Sequence, residues 1–137
     1  MESRFSTCLN CIDGRVQIPV ITWITENYEV DYVDMITEAG IDGLLANKGF
    51  DPSHVLRKLA ISFSKHNSNT LFIVGHYQCR SNPVEEVVHK KQIKKSAERI
   101  NNYTHSCKII GLWVNEHLKV EQVCEVGENS KHYSKVL

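Results

Sequence analysis

The chain has 137 residues, of which 42% are hydrophobic and 23% charged, and its 16 basic and 16 acidic side chains give a formal net charge of zero. This length predicts a single domain over residues 1–137 with a core of modest size. Zero net charge supplies no field that would attract nucleic acid or an anionic membrane, so neither is an expected partner. We find neither a signal peptide nor an apolar run long enough to span a bilayer, and we therefore expect a cytoplasmic protein.

The first half of the chain predicts two strands and one helix. Residues 4–12 and 30–37 have the patterns of strands, whereas the apolar, β-branched residues 16–25 fit a helix or a strand equally well. Glycines punctuate residues 40–49, which predicts a loop. Residues 53–65 repeat apolar side chains at helical spacing and predict an amphipathic helix.

The second half alternates in the same way. Residues 70–75 and 107–114 are continuous apolar runs, typical of strands buried on both faces of a parallel sheet. Residues 83–102 predict a helix, and residues 118–126 alternate as an edge strand does. The polar tail at 127–137 is expected to be frayed. The order predicts an α/β fold with a mainly parallel β-sheet flanked by helices.

Three metal-ligand side chains follow two of the predicted strands. Cys11 ends the first strand, and His76 and Cys79 come directly after the buried strand at 70–75. Sites in open α/β sheets lie beyond the carboxyl ends of the strands, where these side chains can converge. Thiolate and neutral imidazole are usual zinc ligands, and three protein ligands leave one tetrahedral position open, as catalytic zinc sites do. The sequence therefore predicts a Zn²⁺ site.

Asp13 and Arg15 are the predicted catalytic residues beside that site. They are two residues apart, so on an extended segment their side chains point the same way. The guanidinium can then hold the carboxylate through two hydrogen bonds. A carboxylate held in this way can orient a zinc-bound hydroxide, or it can itself become a fourth zinc ligand and close the site.

Together these segments resemble those of the β-class carbonic anhydrases. That family carries Cys-x-Asp-x-Arg at the end of one strand and His-x-x-Cys at the end of a later strand. This chain has Cys11-Ile-Asp13-Gly-Arg15 and His76-Tyr-Gln-Cys79 in the same order, so the resemblance extends over most of residues 5–126. Two further segments resemble the family as well: Thr37-Glu-Ala-Gly40 and Gly111-Leu-Trp-Val114.

The resemblance implies a function. It implies a zinc-dependent lyase that hydrates CO2 reversibly to bicarbonate by attack of zinc-bound hydroxide, with Zn²⁺ held by Cys11, His76 and Cys79. Asp13 would orient the nucleophile or close the site, and Arg15 would hold Asp13. Family members are dimers or larger, so we expect a homodimer or a higher homo-oligomer. Related proteins with the same zinc site hydrolyse COS or CS2, which leaves a CO2-like substrate as an alternative.

Three residues depart from the family's pattern. Gly14 stands where the family usually has serine, Gln78 where it has an acidic residue, and Arg80 where it has glycine. A cation next to the site can hold an anion permanently. Arg80 therefore motivates a second hypothesis, a non-hydratase zinc-bearing α/β module that binds a small anion or a partner protein.

Cys8 offers a different ligand set. Cys8-Leu-Asn-Cys11 is a Cys-x-x-Cys pair that with His76 and Cys79 can form a closed structural zinc site, or can act as a redox pair. Residues three apart on a strand point to opposite faces, so we expect Cys8 to turn away from Cys11. The remaining cysteines are expected in the core and the other histidines at the surface: Cys107 and Cys124; His54, His66, His89, His105, His117 and His132.

Overall fold

A single mostly parallel sheet organises residues 3–127, the part of the chain that the computed structural model describes. Its strand order is β2-β1-β3-β4-β5, in which the first four strands are parallel and β5 is antiparallel to β4 at one edge. The strands are β1 (Phe5–Asn10), β2 (Tyr32–Thr37), β3 (Thr70–His76), β4 (Lys108–Val114) and β5 (Val120–Gly127). The predicted α/β fold with a mainly parallel sheet flanked by helices is confirmed. The predicted frayed tail lies outside the described residues from position 128 onward.

Four α-helices connect these strands within the described residues. They are α1 (Gln17–Asn27), α2 (Ile41–Ala46), α3 (Ser53–Lys65) and α4 (Glu86–Asn101), and a single 3-10 turn over Gly14–Val16 leads into α1. The predicted helix at 53–65 is confirmed, and the helix predicted from 83 begins three residues later. Within residues 3–127 no helix combines the length and the apolarity that crossing a membrane requires.

The prediction of a loop over residues 40–49 is wrong for residues 41–46, which form α2. Gly40 is the N-cap of this helix, and its φ of +63° lies in the left-handed region that glycine adopts without strain. Ile41 and Leu45 are one helical turn apart and both are buried. Gly40 therefore serves the start of the helix, and Gly43 allows its close packing, since a Cβ there would lie 2.7 Å from the Asn82 side chain.

The ambiguous segment at 16–25 is helical. Val16, Val20 and Ile24 recur every fourth residue, and all three are buried against the sheet. Pro19 is tolerated because it lies in the first turn of α1, where the missing backbone N–H has no intrahelical partner to lose.

The helices cover both faces of the sheet. Apolar residues of α2, α3 and α4 pack on one face together with Leu9, Leu71, Ile73 and Ile109. Residues of α1 pack on the other face, where the intervening strand residues lie. Because side chains alternate along a strand, each strand contributes to both clusters. This leaves the carboxyl ends of β1, β3 and β4 at one edge of the layers.

Candidate metal centre

The three predicted ligands lie together at the carboxyl ends of β1 and β3. These strands are parallel neighbours, so Cys11, directly after β1, meets His76 at the end of β3. Cys79 reaches the same point from the loop that follows. The ligand atoms of the three side chains all lie within 4.8 Å of one another, and all three residues are buried. The two sulfur atoms are 3.9 Å apart.

The His76 ring is turned so that one nitrogen is available to a metal. Its Nδ1 lies 2.8 Å from the carbonyl oxygen of Tyr77, and since a carbonyl only accepts, Nδ1 carries the hydrogen. The lone pair is then on Nε2, which is buried and has no hydrogen-bond partner among the described residues. Burial also lowers the pKa of His76, which favours the neutral imidazole that ligates metals.

The two thiols also fit a divalent cation. Burial, with a smaller effect of the neighbouring Cys11, raises the pKa of Cys79 to about 11. The backbone N–H of Gly40 donates to Cys11 Sγ at 3.4 Å, which is a contact suited to a thiolate. Two adjacent buried thiolates repel each other when no cation is present. Zn²⁺ removes this repulsion, because it binds cysteine in the thiolate form. Two sulfurs and one neutral imidazole therefore form a donor set that fits Zn²⁺.

Asp13 and Arg15 form a bidentate ion pair at the rim of this cluster. Arg15 Nη2 lies 2.7 Å from Asp13 Oδ2, and Arg15 Nε lies 3.0 Å from Asp13 Oδ1. These hydrogen bonds hold the pKa of Asp13 at about 2, so it is a carboxylate. Among the described residues, Asp13 is not part of the group that could hold a metal ion.

A turn, and not an extended segment, brings this pair together. Asp13 Oδ1 accepts a hydrogen bond from the backbone N–H of Arg15 at 2.9 Å and caps the 3-10 turn over Gly14–Val16. Arg15 Nη2 also donates to the carbonyl oxygen of Gln78 at 3.3 Å. The guanidinium thus links the segment after β1 to the loop that carries Cys79.

A cleft of about 760 Å³ opens beside the cluster. Its walls include Cys79 and the Asp13–Arg15 pair, together with Arg80 and Trp113. Arg80 is exposed, and it replaces a glycine of the family pattern with a cation directly on this wall. The cleft gives solutes access to the edge of the three-ligand cluster.

Cys8 lies elsewhere. It is fully buried in the apolar cluster on the α1 side of the sheet, and this burial raises the pKa of its thiol. It is not part of the possible ligand group, so the described residues form no closed site with four ligands. Cys107 is buried in the core on the opposite face, and Cys124 packs partly buried against it.

A second polar cluster, which sequence reasoning missed, lies behind the ligands. His89 was predicted at the surface, and this is wrong: its side chain is 1% exposed and its Nδ1 is 2.6 Å from Asp42 Oδ2. A signal for its burial was present, because His89, Ile93, Ala97 and Ile100 recur at helical spacing along one face of α4. No comparable signal marked Asp42, since its segment has the pattern of a loop.

Comparison with known proteins identifies a family. A protein-family model described as "Putative carbonic anhydrase" matches residues 1–124. No curated protein sequence matches the chain.

Solved carbonic anhydrases share the fold. The β-carbonic anhydrase isoform I from Trichomonas vaginalis superposes with a TM-score of 0.61 at 15% identity, over 89% of this chain and 83% of that one. The carbonic anhydrase from Glaciozyma antarctica gives a TM-score of 0.58 at 17% identity, over 86% and 81%. Tetrameric β-carbonic anhydrases from Sordaria macrospora give 0.59 at 10% identity, over 93% and 84%. At these identities the likeness establishes the fold alone.

Proposed function

Since the chain belongs to the family described as "Putative carbonic anhydrase", we propose that it is a zinc-dependent lyase that hydrates CO2 reversibly to bicarbonate. One observation carries the proposal: the buried, unpartnered Nε2 of His76 lies in one group with the thiols of Cys11 and Cys79. A buried nitrogen without a partner is costly, and a metal ion satisfies it.

Cys11, His76 and Cys79 would hold the zinc ion. When bound, zinc supplies a Lewis acid that brings the pKa of a coordinated water towards neutrality. The chain contributes the orientation of the ligands. Tyr77 fixes the His76 ring through its carbonyl oxygen, and Gly40 N–H stabilises negative charge on the Cys11 sulfur.

Asp13 would orient the nucleophile for attack on CO2 by accepting a hydrogen bond from its O–H group. Arg15 keeps this carboxylate ionised and fixes its direction through two parallel hydrogen bonds. Because both carboxylate oxygens face the guanidinium, the pair supports an open site in preference to one that Asp13 closes. Arg15 is therefore a positioning residue in this proposal.

Stopped-flow CO2 hydration by zinc-loaded protein, at neutral and at mildly alkaline pH, tests the proposal. Rapid hydration at both values would support an enzyme with an open site. Activity confined to alkaline pH would count against the open site and favour closure by Asp13. If neither condition gives hydration, the CO2 proposal fails, and hydrolysis of COS or CS2 is the next assay.

Asp13→Ala separates catalysis from metal binding. We expect this variant to keep one zinc ion and to hydrate CO2 about 100-fold more slowly, since positioned acid–base groups contribute roughly that much or more. Asp51→Ala is the control, because Asp51 Oδ1 accepts a hydrogen bond from the backbone N–H of Ser53, two residues on, as Asp13 Oδ1 does from that of Arg15. Full activity in Asp13→Ala would remove this residue from the mechanism.

A second candidate is a non-hydratase module that binds a small anion. It is favoured by the exposed Arg80 on the wall of the cleft, for which the described residues supply no carboxylate partner. Calorimetric titration with bicarbonate in the absence of turnover, followed by Arg80→Gly, examines it. Tight binding that Arg80→Gly abolishes, without any CO2 hydration by the parent protein, would favour this candidate over the enzyme.

We also propose that the chain forms a homodimer or a larger homo-oligomer. Support comes from the Sordaria macrospora structures, which are described as tetrameric β-carbonic anhydrases. Light scattering on the eluting peak of a gel-filtration column measures the mass directly. A mass near 15.7 kDa would contradict this part of the proposal.

A further inference from the structure

We propose that Asp42, Asn82 and His89 form a positioning network that fixes the geometry of the zinc ligands from behind. The inference rests on the zinc centre of the proposed function. It concerns three residues that lie outside both sequence motifs. The network consists of side chains from α2, from the loop after Cys79 and from α4.

The buried side chain of Asp42 accepts three hydrogen bonds. This side chain is 2% exposed. His89 Nδ1 donates to Oδ2 at 2.6 Å, while Asn82 Nδ2 and the backbone N–H of Gly43 donate to Oδ1 at 3.0 and 2.9 Å. Asn82 Nδ2 also donates to Gln92 Oε1 at 2.7 Å. A buried carboxyl group that accepts three hydrogen bonds fixes its donors relative to one another, while His89 Nε2 is buried without a hydrogen-bond partner among the described residues.

The network reaches Cys79 through Asn82. The backbone N–H of Asn82 donates to the carbonyl oxygen of Cys79 at 3.2 Å and closes the turn between them. The Asn82 side chain is anchored at the same time on Asp42. The position of the Cys79 sulfur therefore depends on that anchor.

The network reaches His76 and Cys11 through close backbone contacts. A Cβ added at Gly75, the residue before His76, would collide with Asp42 Oδ2. A Cβ added at Gly40, whose N–H donates to Cys11 Sγ, would lie only 3.1 Å from Asn82 Cβ. Asp42 and Asn82 thus lie against the segments that carry His76 and Cys79, and they reach Cys11 indirectly through Gly40.

This arrangement has a direct energetic consequence. A three-ligand site binds zinc tightly only if its sulfur and nitrogen atoms are already near their final positions, because ordering them on binding costs free energy. Groups that orient metal ligands typically change metal affinity about 10–100-fold when they are removed. The side chains of Asp42, Asn82 and His89 are expected to act through position alone, whereas the backbone N–H of Asn82 also donates to the Cys79 thiol and, against the larger effect of burial, lowers its pKa.

Zinc affinity of the Asn82→Ala variant tests the inference. Affinity is measured by competition with a chromophoric chelator, and the fold is checked separately by thermal unfolding of the metal-free protein. We expect Asn82→Ala to bind zinc about 10–100-fold more weakly than the parent protein. With Co²⁺ in place of zinc, the cobalt–thiolate charge-transfer band should shift, which a loss of stability alone does not produce.

Two further variants keep the test decisive. Gln92→Ala removes the second acceptor of the Asn82 amide at a half-buried position, and should weaken zinc binding in the same direction but less. Asp34→Asn is the matched control, because Asp34 makes an equally short contact to His66 at 2.6 Å, on β2 and away from the ligands. This control should bind zinc as the parent protein does.

The possible results are distinguishable. Parent-like affinity in Asn82→Ala and Gln92→Ala would overturn the inference while leaving the zinc centre intact. An equal loss in Asp34→Asn would also overturn it, because the effect would then follow general stability. Failure of the parent protein itself to bind zinc would overturn the metal centre, and the network's role with it.

Discussion

Two aspartate–histidine pairs in this chain have the same contact distance and opposite surroundings. Asp42–His89 and Asp34–His66 both place a carboxylate oxygen 2.6 Å from Nδ1. The first pair is 2% and 1% exposed, whereas the second is 25% and 41% exposed. The contact distance alone therefore says little about how much a pair contributes to stability, because that contribution depends on burial.

The difference follows from the cost of moving charge out of water. A buried carboxylate is stable only while its donors remain, so removing one partner is expensive. A carboxylate in contact with solvent exchanges a lost partner for water, and such pairs contribute little. We therefore assign Asp42–His89 to the rigidity of the ligand cluster, and Asp34–His66 to a modest local tie between β2 and the end of α3.

The largest expected effect is the loss of His89. His89→Ala should destabilise the metal-free protein by about 3–5 kcal/mol, because the Asp42 carboxylate loses its shortest hydrogen bond while it stays buried. The corresponding His66→Ala should cost about 1–2 kcal/mol, including the stacking of its ring on Phe5. Urea unfolding of both variants measures the two losses of unfolding free energy, and equal losses would contradict the predicted effect of burial.

A smaller effect is expected where a methyl group enters the buried network. Gly75→Ala should cost about 1–3 kcal/mol, because the added Cβ collides with Asp42 and crowds Ile93. Gly14→Ala is the matched control, since a Cβ there meets no atom within 4 Å. Unfolding free energies within error of each other would show that the space around Asp42 is not tightly packed.

The partly exposed pair should respond weakly even when one of its buried partners is removed. Ser62 Oγ donates to Asp34 Oδ2 at 2.6 Å and lies 2.6 Å from Thr7 Oγ1. Ser62→Ala should cost about 1 kcal/mol, the usual net value of one hydrogen bond. Zinc affinity should not change, and a tenfold loss would connect this region to the metal centre against expectation.

The smallest expected effect on stability comes from the ion pair at the rim. Arg15→Lys keeps the charge but loses the bidentate geometry. We expect the unfolding midpoint to stay unchanged, because the Arg15 side chain is half exposed, while CO2 hydration falls. A parent-like hydration rate would show that the direction of the Asp13 carboxylate is unimportant.

Most of the strands could be predicted from the sequence, and two of the helices could not. Buried parallel strands such as β3 and β4 are continuous apolar runs, a strong local signal. Helix α1 is rich in β-branched residues, so its local preference is ambiguous, and the parallel crossover from β1 to β2 decides for a helix. Helix α2 contains Gly43, and glycine is unfavourable in a helix, so the local sequence argues against one. Tertiary packing requires glycine here, because a Cβ would lie 2.7 Å from the Asn82 amide.

The residues of the candidate site divide in the same way. Cys11, His76 and Cys79 carry chemistry in their side-chain types and follow strands, so spacing was enough to predict that they converge. The prediction that Asp13 pairs with Arg15 is confirmed, although a capping turn and not an extended segment brings them together. The mostly polar residues around His89 predict a surface position, whereas its helical spacing with Ile93 and Ala97 places it on the buried face of α4.

By itself the sequence determined which side chains can bind a metal, which segments form buried strands and at which edge of the sheet the two motifs meet. These features depend on local order along the chain, and local order is what a sequence contains. Only the tertiary structure decided that Asp42, Asn82 and His89 form one buried network behind the ligands. Their partners are 7 to 47 residues apart, and that network exists only because the folded chain brings three elements together and excludes water from between them.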